Sequence, residues 1–185
     1  GQWIVQIGAL AEGQRATSTV DLTAVIRTAP PAQRSVLTLH LFFTGAKGWT
    51  SDTAPNDDVL SAALTSMRAV FSEVGVDLMV KGYRDIDSRY RNVDSGPTRP
   101  EFAASSLHRM FSENSEDSGV ALFFVDRIGT ANDGGFVAGI SGGTPGPMAH
   151  PGHFRGGVAV ATEMFDDPAT IGHIMAHETG HYLGL

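Results

Sequence analysis

The chain has 185 residues, 42% of them hydrophobic, with 13 Lys and Arg against 20 Asp and Glu for a formal charge of -7. That length buries a substantial core in one domain with a small extra element, and the acidic balance argues against nucleic acid or anionic lipid as the main partner. The absence of cysteine excludes disulfides and thiolate chemistry, and no apolar stretch approaches the roughly 20 residues of a membrane span.

In chain order, residues 3–9 and 18–27 read as strands, with Ala11-Glu12-Gly13-Gln14 as a turn between them. Val20, Leu22, Ala24 and Ile26 alternate with Thr19, Asp21, Thr23 and Val25, the pattern of a half-buried strand. Thr28-Ala29-Pro30-Pro31-Ala32 marks a boundary. Residues 1–31 are thus expected to form a strand pair or the tail of a preceding domain, and residues 32–185 the main domain.

Residues 35–43 (SVLTLHLFF) predict a strongly apolar strand, and 57–74 a helix capped by Asn56. Leu60, Ala63, Leu64, Met67, Val70 and Phe71 supply its buried stripe. Residues 76–80 are the next strand, completing a strand-helix-strand crossover of the kind that is almost always right-handed. Residues 81–100 read as loop, 101–112 as a shorter helix, and 119–125 as a buried strand. Within the Gly- and Pro-rich segment 129–157, Phe136, Val137, Ala138, Gly139 and Ile140 form a short candidate edge strand. Residues 157–162 give the last strand. Asp167 then caps a helix with Pro168 at its first position, and Gly184 suits a left-handed terminating position.

That final helix carries His177-Glu178-Thr179-Gly180-His181. Residues four apart differ by about 40° of rotation and 6 Å of rise, so the two imidazoles project together and can reach one zinc ion. Glu178, turned about 100° from His177, is free to take a proton from a metal-bound water and deliver it to a leaving nitrogen. His173 shares the stripe but lies about 12 Å along the axis from His181, too far for one ion. His150 and His153 are ordinary loop histidines or ligands of a second, structural metal with an acid such as Asp133. His40 and His108 read as structural.

His177, Glu178, His181 and Gly184 resemble the metzincin zinc-peptidase signature, H-E-x-x-H-x-x-G-x-x-H or D, with wording near Gly180–Leu185 closest to pappalysin-like or matrixin-like members. The resemblance implies an α/β (α+β) upper subdomain: a twisted mixed sheet with a backing helix and an active-site helix. It also implies a secreted or cell-surface zinc-dependent endopeptidase with His177 and His181 as Zn2+ ligands and Glu178 as base. Gly184 would turn the chain toward a third ligand at position 187, beyond this sequence. The catalytic domain is then expected to be incomplete, weak or inactive alone, and completed by a C-terminal fragment or lower subdomain. In the family the antiparallel edge strand binds extended substrate, which assigns Phe136–Ile140 to peptide contact. The competing expectation is a catalytically inactive binding or adhesion module on a metallopeptidase scaffold.

Overall fold

The computed structural model describes residues 10–11, 14–15, 35–96, 105–130, 136–148 and 150–185. The chain divides into Gly1–Ala32 and Gln33–Leu185. In the first unit, β1 (Leu10–Ala11) pairs antiparallel with β2 (Gln14–Arg15). The strands expected at 3–9 and 18–27 lie outside the described residues.

The second unit is a mixed α/β arrangement. β3 (Ser35–Phe43) leads through α1 (Asp58–Glu73) to β4 (Val76–Asp85), which returns parallel to β3. β5 (Asn92–Asp94) and α2 (Ser106–Phe111) precede β6 (Val120–Val125) and β7 (Arg127–Gly129). The chain continues through β8 (Phe136–Val137), β9 (Gly139–Ser141), β10 (Val158–Ala161) and α3 (Pro168–Leu183). The main sheet has the order β4-β3-β6-β10-β9, parallel except that β9 runs antiparallel to β10. A smaller sheet has the order β5-β7-β8. Among the described residues no helix is long and apolar enough to cross a membrane.

The strand period of two divides the core between the faces of the main sheet. Leu39, Leu41 and Phe43 of β3 join Leu122, Phe124, Val158 and Val160 beneath α1 and α3. Phe42, Ala121, Phe123 and Ala159 point the other way, toward Leu107, Met110 and Phe111 of α2. Stacked aromatic pairs follow on both faces: Phe43 with Phe124 at 5.5 Å and Phe42 with Phe123 at 4.6 Å between centroids.

Several local expectations change. Asp57, not Asn56, caps α1 by accepting the Leu60 N–H at 2.8 Å. Val70 is 40% exposed, so the buried stripe comprises Leu60, Ala63, Leu64, Met67 and Phe71. Residues 81–85 extend β4, and 88–94 form a 3-10 turn and β5, where a continuous loop is expected. β4 is an edge strand, so its exposed polar residues conceal the ladder that β3 imposes. The predicted strand at 136–140 divides at Ala138: β8 pairs with β7 and β9 with β10.

His40 sits on the α2 face of β3 with 1% exposure. Its Nδ1 lies 3.2 Å from Oε2 of Glu116, whose Oε1 pairs with Arg84. Burial holds the imidazole below its ordinary 6.5, outweighing the attraction of Glu116; Lys81 and Arg84 lower it further. The unfolded chain therefore takes up a proton that folded His40 resists. Stability should be fully present above about pH 6.5 and decline as pH falls below that value. Urea midpoints at about pH 7.5 and 5.5 test this. The wild type should lose more stability on acidification than His40→Gln, and equal losses would remove His40 as the cause.

Candidate functional site

The site is built on one face of α3. Asp167 accepts from Thr170 N–H at 2.9 Å and Thr170 Oγ1–H at 2.6 Å, and these bonds hold its carboxyl below the usual range. Pro168 follows with its φ already suited to a helix. At the other end Gly184 has φ +92°, with Gly184 N–H donating to His181 O and Leu185 N–H to Gly180 O, both at 3.0 Å. This paired closure is the Schellman arrangement. Ile171, Met175, Thr179 and Tyr182 turn inward, leaving His173 and His177 exposed and Glu178 and His181 partly buried.

The structure brings His177 and His181 together. Their Nε2 atoms are 3.1 Å apart, and His181 Nδ1 lies 3.2 Å from the Leu185 carbonyl. A carbonyl can only accept, so Nδ1 of neutral His181 carries the hydrogen and its Nε2 presents a lone pair. His177 Nε2–H then donates to that lone pair. One contact therefore links the two rings.

Glu178 faces a different neighbour. A side-chain carbon added to Gly139 would lie 2.6 Å from Glu178 Cγ and 2.9 Å from Ile174 Cγ2. Glycine thus lets β9 approach the helix on the side carrying Glu178. Between them lies a cavity of about 550 Å3, lined by Val137, Ala138 and Gly139 opposite Thr170, His173, Ile174, His177 and Glu178. On the other side of the histidine stripe, a second groove of about 580 Å3 runs between the ends of α1 and α3, lined by Val70, Phe71, Val74, Ala176, Gly180 and Leu185 together with His173, His177 and His181.

The hydrogen-bond phase of β9 can be read from its flanks. Ala161 N–H donates to Ala138 O, and Gly142 N–H donates to Gly157 O. Bonded pairs alternate in an antiparallel ladder, so Ala138, Ile140 and Gly142 direct their polar groups toward β10. Gly139 and Ser141 therefore direct N–H and C=O outward. β9 ends the main sheet on this side among the described residues.

The metal-centre expectation is corrected by the donor set. Among the described residues no group of three or more His, Asp or Glu side chains is placed to hold a metal ion, whereas protein zinc sites use three or four such ligands. The paired imidazoles supply two donors; Glu178 lies toward β9. His150 and His153, with ring centroids 6.4 Å apart, likewise form no such group, and Asp133 lies outside the described residues. No family model matches the chain, and no curated protein matches it. The metzincin resemblance is not upheld, and the zinc-endopeptidase identity, its Zn2+ cofactor and the proposed structural metal fall with it. The inactive module on a metallopeptidase scaffold gains no support either. Four fixed letters in eight residues specify a helix face; they do not specify a scaffold or a third donor.

Of the expected contact residues, Val137, Ala138 and Gly139 line the α3 cavity and Ile140 faces the opposite side of the sheet. Phe136 belongs to β8; its side chain is outside the described set. Thr170 and Ile174 were not anticipated. Their signal was present in helical spacing, since 170, 173–174 and 177–178 recur along one stripe.

Proposed function

We propose that this protein binds an extended peptide segment, laid as an added strand along β9 and over the cavity beside α3. The outward-facing backbone groups of Gly139 and Ser141 carry the reading, because an unpaired sheet edge offers a peptide main-chain hydrogen bonds independent of its sequence. The adjacent cavity supplies what a bare edge lacks. It can receive a side chain of the added strand and surround it with Ile174, His173, His177 and Glu178. The hydrogen-bonded imidazole pair and the carboxylate act here as polar recognition groups.

The apolar groove beside α1 is a weaker candidate for the same ligand. It is lined by residues of α1 and α3 and their C-terminal neighbours Val74 and Leu185, with no strand of either sheet, and so offers no ladder to an extended chain.

A random decapeptide library displayed on phage, selected on the full chain, tests the proposal. Synthetic versions of enriched peptides should shift the amide resonances of Gly139 and Ser141. N-methylation at ligand residues facing those positions should weaken binding roughly 2- to 10-fold per site, the worth of a hydrogen bond of about 0.5–1.5 kcal/mol. Methylation at the intervening residues should matter less. No enriched peptide, or shifts confined to other surfaces, would exclude this cleft as the binding site.

A further inference from the structure

Glu178 lines the α3-side cavity with its charge uncommitted. It is partly buried, yet among the described residues its carboxylate has no hydrogen-bond or ion-pair partner. The nearby imidazoles of His177 and His181 are linked by one hydrogen bond that does not involve it. A carboxylate drawn partly out of water gains from a cation brought beside it.

Resting on the peptide reading, we propose that this cavity is a subsite for a lysine or arginine side chain, carried by the ligand residue opposite Gly139. Directly opposed residues of neighbouring strands place their side chains on the same face. At Gly139 that face is the α3 side, because a side-chain carbon there would meet Glu178 Cγ at 2.6 Å and Ile174 Cγ2 at 2.9 Å. In antiparallel pairing, the ligand residue opposite Gly139 therefore turns its side chain toward α3. Gly139 directs its N–H and C=O outward, so this is a hydrogen-bonded position, at which the ligand main chain is held on both sides of the side chain. Glycine leaves the cross-strand space to the ligand.

The cavity suits the stem of such a side chain as well as its head. Ile174 offers apolar contact to the methylene groups while the charged end reaches Glu178. Thr170, which also lines the cavity, donates its hydroxyl to the Asp167 carboxylate at 2.6 Å, so a second negative charge sits at the N-terminal cap of the same helix. The formal charge of -7 adds attraction for cationic peptides at longer range. A ligand glutamate at this position would meet a like charge at Glu178, which sharpens the discrimination.

The test begins with a neutral decapeptide selected on the full chain, scanned with Lys, Gln and Glu at each position by fluorescence anisotropy. A buffer at about pH 8 lies above the ordinary titration range of an imidazole. One position should favour Lys over Gln by roughly fivefold, as expected for a partly exposed ion pair. N-methylation of that same residue should weaken binding, because it faces Gly139. Glu178→Gln, which keeps the shape of the side chain, should erase the preference, and Glu178→Lys should transfer it to Glu at that position. Melting curves matching the wild type establish that both variants are folded. Peptide binding with no position that responds to Glu178, or a response only where N-methylation has no effect, overturns the cation subsite and leaves the edge-strand reading intact. Failure of all peptides to bind overturns both.

Discussion

Phe124→Ala is expected to cost about 3–5 kcal/mol of folding stability, the range for deleting a fully buried aromatic side chain. Phe124 has 0% exposure, lies beneath α1 and α3, and is clamped by two other rings. Phe43 stacks on it at 5.5 Å, and Trp49 meets it edge-on at 5.3 Å. Its carbonyl accepts the Thr44 hydroxyl at 2.8 Å, so the backbone is tied to the strand end and cannot readily collapse into the void. A domain of this size has only about 5–15 kcal/mol in total. The melting temperature should fall by roughly 10 °C, at about 2–4 °C per kcal/mol for 150–250 residues. Exposed Val74, at 72%, supplies a contrast: Val74→Ala should stay within about 0.5 kcal/mol of wild type. Calorimetry and urea unfolding would measure both. A loss below about 1 kcal/mol for Phe124→Ala would contradict the packing of this face.

The elements that depend on local chemistry were legible before the structure. β3 and β6 are apolar runs of strand length, and α3 announces itself through Asp167, Pro168 and Gly184. Elements defined by their neighbours were less legible. Residues 81–85 become strand because β3 offers them a ladder, although their own sequence is polar. Ala138 interrupts a run that looks continuous, because β8 and β9 answer to different partners. The candidate site divides in the same way. The proximity of His177 and His181 follows from a spacing of four, but their pairing through one hydrogen depends on the Leu185 carbonyl held by the helix terminus. A metal centre required another donor from elsewhere in the fold, and periodicity could not supply it.

Gly139→Val should reduce peptide binding at least tenfold, about 1.4 kcal/mol, while the smaller loss in Gly139→Ala should be partly recovered when Glu178→Ala is added to it. The side-chain carbon at position 139 would enter the space held by Glu178 Cγ at 2.6 Å, Ile174 Cγ2 at 2.9 Å and the Ala159 carbonyl at 3.2 Å. Glu178 can swing aside, and the cavity it lines is the space beside it. Ile174 and the Ala159 backbone are anchored in α3 and β10, so the remainder of the strain must move β9 outward. Valine therefore narrows the cavity and displaces the outward Gly139 and Ser141 groups together. Shortening Glu178 removes the nearest obstruction and leaves the other two, which is why rescue should be partial. A double-mutant cycle with Gly139→Ala, Glu178→Ala and the combined variant measures that coupling. Strictly additive losses would show that Glu178 and β9 do not share the cleft. Unaltered affinity in Gly139→Val would place the peptide elsewhere on the protein.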